Sequence, residues 1–316
     1  MLEDKCYNKI MPVKAPSKLP AIDTLLKENI FVMDEKTAER QDIRPLRVAI
    51  LNLMPNKEVT ETQLLRLIGN TPLQVETVFL RTSTYESKNT AKSHLDSFYK
   101  TFDEVKKLNL KFDGLIITGA PVEQMDFAKV SYWDELSKIL AWAAKNVYSS
   151  LYICWAAQAA LYYHYGVDKV TMPKKIFGIF RHKVMGKNNP LVRGFNDSFL
   201  APHSRYTEVD REKLVKCKEV DILAESDEAG LFLASSTDLR RVFVFGHGEY
   251  DVNSLHDEYV RDKAKGLGTA IPKNYYVNDK EGQLPPLVWR AHVSLLFSNW
   301  LNYCVYQQTP YDLAKI

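Results

Sequence analysis

No two of the four cysteines, Cys6, Cys154, Cys217 and Cys304, stand in a C-x-x-C pair. That argues against a structural zinc site and against a disulfide-stapled secreted fold. No apolar run approaches the roughly 18 residues that suggest a membrane span. The opening Met1-Leu2-Glu3-Asp4-Lys5 is too charged for a secretory leader, and Met11-Pro12 offers an alternative start. A dominant charge is also missing, since 42 basic residues face 39 acidic ones and leave a formal net charge of +3. Such a balance demands neither nucleic acid nor an anionic membrane as partner. There is no internal repeat and no low-complexity tract. His94, His164, His182, His256 and His292 lack metal-ligand spacing and read as structural or surface groups. The expectation is therefore a cytoplasmic protein with no metal and no permanently bound cofactor.

What the chain does have is alternation. Residues 1–45 are rich in proline and charge, with one helical stretch near Ile22–Glu28, and are expected to form an extension that wraps the core, its first ten residues dispensable. Residues 46–316 read as a single α/β domain. Leu46–Leu53 is a near-continuous apolar run, as in a buried parallel strand. Glu61–Ile68 follows as a helix, Leu73–Leu80 as a strand, His94–Leu108 as a helix and Phe112–Thr118 as a strand. Ser131–Lys145 carries Trp133, Leu136, Leu140 and Ala144 at helical spacing. Residues 166–240 change character: Ile176–Phe180, Asp197–Pro202, Ile222–Ala224 and Gly230–Ala234 read as short antiparallel additions. Ser254–Lys265 is expected as a helix, Gly266–Pro286 as a polar loop and Trp289–Tyr306 as a closing helix. The fold class this implies is α/β, an open, mostly parallel sheet with helices on both faces. Ligands in such folds bind beyond the carboxyl ends of the strands, where Asn52–Lys57, Gly119–Glu123, Cys154 and His247–Glu249 all fall.

Leu151-Tyr152-Ile153 feeds Cys154, and Trp155-Ala156-Ala157-Gln158-Ala159-Ala160-Leu161 continues in strong helix formers. The pattern reads as strand, sharp turn, helix, with the thiol over the first turn of the helix. The free N–H groups and dipole there favour the ionised, reactive form of a cysteine. Taken alone, Cys154 reads equally as a small buried hydrophobe. A second strand, Arg241-Val242-Phe243-Val244-Phe245, ends in Gly246-His247-Gly248-Glu249 and supplies a candidate base with a carboxylate two residues on. Cysteine, base and orienting acid are the parts that covalent acyl transfer requires. Trp155 is expected to pack against helices while its backbone N–H meets an oxyanion. Lys57 is either a surface lysine or part of the site, and Pro202-His203-Ser204-Arg205-Tyr206 either lines a pocket or packs.

The strand–Cys–helix and His-x-Glu arrangement resembles the class I glutamine amidotransferase-like, flavodoxin-like fold. The sequence is most similar there to the homoserine O-acyltransferases of methionine biosynthesis. The resemblance runs from Met11 to Leu313, through Arg44-Pro45-Leu46-Arg47-Val48, Leu51-Asn52-Leu53-Met54-Pro55, Phe112–Pro121, Cys154-Trp155-Ala156, Phe199–Tyr206, Asn299-Trp300-Leu301-Asn302-Tyr303 and Thr309-Pro310-Tyr311-Asp312-Leu313. It implies a ping-pong reaction in which Cys154 takes the acyl group from acyl-CoA and L-homoserine accepts it, with His247 as base and Glu249 as its orienting acid. It implies that Lys175, Ser204, Arg261 and Glu258 contact homoserine, Arg261 at the carboxylate and Glu258 at the amino group. It also implies that Lys57 polarises the thioester oxygen, and that the protein is a homodimer with small molecules as its only other partners.

One departure is Gly248, where that family usually carries proline; glycine loosens the turn by roughly 1 kcal/mol of chain entropy. The resemblance also implies a switch at the position of Glu123, where a glycine goes with succinyl transfer and a glutamate with acetyl transfer. The expectation is therefore a homoserine O-acetyltransferase using acetyl-CoA, the alternative an O-succinyltransferase. Further from it stand a glutamine amidotransferase or thiol hydrolase, and a non-catalytic ligand-binding protein.

Overall fold

Leu46, Val48 and Ile50 alternate with Arg47, Ala49 and Leu51, and five of these six side chains are buried, so strand β3 (Leu46–Leu51) must be covered on both faces. The computed structural model describes residues 13–14, 16, 18–28, 32–33, 44–84 and 89–310. Cys6, Met11-Pro12, the first ten residues and Tyr311-Asp312-Leu313 lie outside the described residues, as does much of the segment expected to wrap the core. Before β3 come β1 (Val13–Lys14), α1 (Ala21–Lys27) and β2 (Val32–Met33). After it come α2 (Lys57–Ile68), β4 (Val75–Arg81), α3 (Lys92–Phe98), β5 (Tyr99–Thr101), α4 (Phe102–Lys107), β6 (Phe112–Ile117), α5 (Trp133–Asn146), β7 (Val147–Ile153) and α6 (Trp155–Tyr165). Strands β8 (Lys169–Val184), β9 (Ser198–Val209), helix α7 (Arg211–Lys216), β10 (Val220–Ser226), β11 (Gly230–Ser236) and β12 (Arg241–Val244) follow. Helices α8 (Ser254–Ala264) and α9 (Arg290–Asn299) and the π-helical Trp300–Tyr306 end the described chain.

The strands form one sheet in the order β2-β1-β4-β3-β6-β7-β12-β11-β10-β8-β9, with β5 paired to β4. Pairing is parallel from β2 to β12 and antiparallel from there to β9. The expected architecture, an open and mostly parallel sheet with antiparallel additions, is the one observed. Side-chain alternation sends Val48, Ile50, Ile116, Leu151 and Val244 into one core with α2, α9 and Trp300. Ala49, Leu51, Leu115, Ile117 and Tyr152 enter a second core with α5 and α6. Helix α6 is buried on every side from Trp155 to Leu161, which suits a helix apolar all round.

Three expected elements differ. The single helix over His94–Leu108 is two helices interrupted by β5, which pairs with Phe79–Arg81. Tyr99 is buried there, and Thr101 starts a new helix through a capping box with Glu104. The short additions at Ile176–Phe180 and Asp197–Pro202 are parts of a 16-residue and a 12-residue strand. These pair across a register shift between Thr171 and Ile176, the stretch that holds Pro173. The closing helix widens at Trp300, whose indole donates to Ser149 Oγ at 2.9 Å and whose ring lies directly over Gly114.

Candidate active site

Cys154 occupies the turn between β7 and α6 with φ 52° and ψ −116°, a conformation that L-residues other than glycine seldom adopt. The turn is pinned because the Cys154 amide donates to Val244 O at 2.7 Å while its carbonyl accepts from Ala157 N at 3.0 Å. The strain has a geometric result: the strand reverses into a helix within one residue and lifts the side chain off the sheet's carboxyl edge. Trp155 is the first residue of α6, so its N–H has no partner within the helix. Its indole packs against Phe127 and Tyr132, as expected of a helix-packing residue.

His247 follows β12 by three residues, and its amide donates to Pro202 O at 2.8 Å. Gly119, at the end of β6, locates the two groups together. A β-carbon built on it would lie 3.3 Å from Cys154 Cβ and 3.8 Å from His247 Cε1. His247 Nδ1 and Glu249 Oε1 are 2.7 Å apart, which leaves Nε2 for the sulfur. Burial alone would pull the imidazole down, yet the Cys154 sulfur and the Glu249 carboxylate hold it well above the usual histidine value. The ring of Tyr250 stacks on the imidazole with centroids 4.3 Å apart and planes 14° from parallel.

A second group of side chains meets at one carboxylate oxygen. Glu258 Oε1 accepts from Lys175 Nζ at 2.7 Å and from Ser204 Oγ at 2.7 Å, with Arg261 Nη2 at 3.7 Å. Asp262, not anticipated from sequence, bonds both Lys175 at 3.1 Å and Arg261 at 2.8 Å. Glu123 Oε2 accepts from Tyr206 N at 3.0 Å. Burial pushes the Glu123 carboxyl up, against the Tyr206 bond and the charges of His247 and Lys175, which places it within electrostatic reach of both groups. Gln158 on α6 donates to Thr207 O at 3.1 Å, so α6 and the Glu123 contact share one stretch of β9. The Pro202–Tyr206 segment thus divides by strand alternation. Ser204 and the Tyr206 amide serve this region, while the His203 and Arg205 side chains are buried, joined to each other and, through His203, to His182.

Lys57 belongs to a third group. It begins α2 rather than ending a loop, is 6% exposed, and donates to Asn52 O and Met54 O. Burial pulls it down to about 8, opposed by Glu61 and aided by Arg81. Glu61 also accepts from Tyr99 Oη at 2.6 Å and pairs with His94 Nε2 at 2.9 Å, so His94 is a buried structural group. Among the described residues no group of three His, Cys, Asp or Glu could hold a metal ion, and no helix is long and apolar enough to cross a membrane. Sequence reasoning missed Tyr250, Asp262 and Gln158, for which no spacing signal existed beyond adjacency to Glu249, Arg261 and Cys154.

Residues 12–311 match the sequence family described as homoserine O-succinyltransferase. A protein named homoserine O-acetyltransferase from Acetivibrio thermocellus is 59% identical over 97% of this chain and 100% of its own. Its namesake from Lachnoclostridium phytofermentans is 58% identical over 96% of this chain and 100% of its own, and that from Brevibacillus brevis is 57% identical over 96% and 98%. Among solved structures, a glutamine amidotransferase from Thermotoga maritima superposes with a TM-score of 0.53 at 11% identity, over 84% of this chain and 100% of that one. This last likeness shows the fold alone.

Proposed function

The chain belongs to the homoserine O-succinyltransferase family and is an acyltransferase of methionine biosynthesis, and from that premise we propose that it is a homoserine O-acetyltransferase working through an acyl-Cys154. The Cys154 thiolate attacks the carbonyl carbon of acetyl-CoA. The oxyanion that forms meets the Trp155 N–H, and the CoA thiolate leaves with a proton from His247. The γ-hydroxyl of L-homoserine then attacks the Cys154 thioester, His247 takes the hydroxyl proton, and the cysteine thiolate departs. Glu249 holds one imidazole tautomer and stabilises its charged form.

One observation carries this reading: the imidazole bonded at 2.7 Å to Glu249 also meets the Cys154 sulfur at the sheet edge. The cluster around Glu258 suits an amino acid, with Arg261 for the carboxylate in two-pronged geometry and Glu258 for the ammonium, flanked by Lys175 and Ser204. Lys57 takes part from the start of α2, through its influence on the thioester oxygen. For the donor, the relatives' names favour acetyl although the family's name says succinyl. The Glu123 carboxylate gives a physical reason, because it would repel the distal carboxylate of a succinyl group. Residues 1–45 act as an extension to a single 46–316 domain, the enzyme is a cytoplasmic homodimer, and its ligands are acetyl-CoA and L-homoserine.

Intact mass after mixing with acetyl-CoA tests the mechanism. An acetyl adduct that is absent from Cys154→Ala and discharged by homoserine is the expected result. Glutamine turnover without any adduct would instead support a glutaminase.

A further inference from the structure

Tyr250 follows Glu249 directly in the chain, and no step above uses it. Its ring covers the His247 imidazole in a near-parallel stack. Its backbone is held on both sides, the amide donating to His247 O at 3.2 Å and the carbonyl accepting from Trp289 Nε1 at 3.0 Å. The bonds to Glu249 at Nδ1 and to the Cys154 sulfur fix the two edges of the imidazole but not the tilt of its plane about the line between them. A face contact removes that freedom, and an aromatic face also attracts the imidazolium form. The phenol also feels the second group of the site. Burial, then Glu258, Glu249 and the Cys154 sulfur, push it well above its usual value, with Arg261 opposing. It therefore stays protonated and able to donate.

We propose that Tyr250 is the positioning residue that joins the base to the acceptor half of the site, its ring setting the plane of His247 and its hydroxyl orienting a hydroxyl-bearing α-amino acid beside Glu258 and Arg261. The inference rests on the acyltransferase reading. It predicts that the two halves of Tyr250 serve the two half-reactions unequally.

The test uses the full chain and two variants, Tyr250→Phe, which keeps the stack, and Tyr250→Leu, which does not. CoA release in a single turnover without acceptor reads the first half-reaction, and KM for homoserine at saturating acetyl-CoA reads the second. Tyr250→Phe should raise the homoserine KM about tenfold while slowing CoA release less than about threefold. Tyr250→Leu should in addition slow CoA release about fivefold relative to Tyr250→Phe. Circular dichroism checks folding, and Tyr250→Met, apolar and of similar reach but without a ring face, replaces the leucine variant if that one does not fold. An unchanged homoserine KM in Tyr250→Phe overturns the proposal, as do equal losses in both half-reactions. So does CoA release as fast in the leucine or methionine variant as in Tyr250→Phe. Failure of the underlying reading would show separately, as a wild type that releases no CoA and carries no acyl group.

Discussion

Val293 on α9 fills the space in which residue 248 would carry a side chain: a β-carbon built on Gly248 falls 1.9 Å from Val293 Cγ2 and 2.6 Å from Val293 Cβ. Val293 is 1% exposed and has no room to turn aside. Glycine here does more than loosen the turn between His247 and Glu249, since it lets α9 pack directly against it. Gly248→Ala should destabilise the protein by about 2 kcal/mol through overpacking, and Val293→Ala should restore part of that loss. Urea denaturation of the four members of the cycle measures it. Strict additivity of the two substitutions would show that the contact does not matter.

The charge on His247 should outlast neutrality. Because its value is raised in the folded state, the stabilisation from the charged imidazole is fully present below the ordinary histidine range near 6.5 and disappears as pH climbs through the raised value. Cys154→Ala and Glu249→Gln should each bring the titration down, since each removes a negative neighbour and leaves burial in place. Nitrogen-15 NMR of labelled histidine follows this directly. A wild-type His247 that titrates at or below 6.5 contradicts the ion pair.

Lys57 gives the opposite sign. Burial brings it to about 8 from the model-peptide value of 10.5, so the charged form is penalised by about 3 kcal/mol. Below pH 8 the whole penalty applies. Between about 8 and 10.5 the folded protein has released the proton while the unfolded chain still holds it, and stability rises with pH. Compared with Lys57→Met, the wild type should gain stability across that window. Parallel denaturation curves at pH 7.5 and 10 decide the matter, and a constant difference between the two proteins would refute the buried charge.

Donor choice should depend on Glu123. Its carboxylate is fixed by the Tyr206 amide, so it cannot swing clear of a longer acyl chain. Glu123→Gly should shift the ratio of kcat/KM for succinyl-CoA over acetyl-CoA upward by about a hundredfold, in line with the several kcal/mol that juxtaposed like charges cost. Steady-state assays with both donors measure the ratio. A wild type that already prefers succinyl-CoA would remove the basis for this account.

Much of this architecture could be read before any coordinates. Strand β3 carries a near-continuous apolar run that two-sided burial explains, and the turn at Cys154 is announced by an abrupt change from strand-forming to helix-forming residues. The break at Tyr99–Thr101 was legible in principle from Thr101-x-x-Glu104, a capping signal that the helical periodicity around it obscured. Lys57 and Glu61 show the limit of local reading. Their setting depends on Tyr99 and His94, more than 30 residues away, which no spacing rule connects to them. Tyr250 is similar, because the Glu258 and Arg261 charges that act on it come from the helix that follows it.

Trp289, Arg290 and Val293 stand at the cap and first turn of α9, and each grips a different link of the short segment from Gly248 to Asp251. The chain thus finishes by bracing its own chemistry from outside, as a splint braces a joint. Lesions far along the sequence should therefore blunt turnover before they melt the sheet.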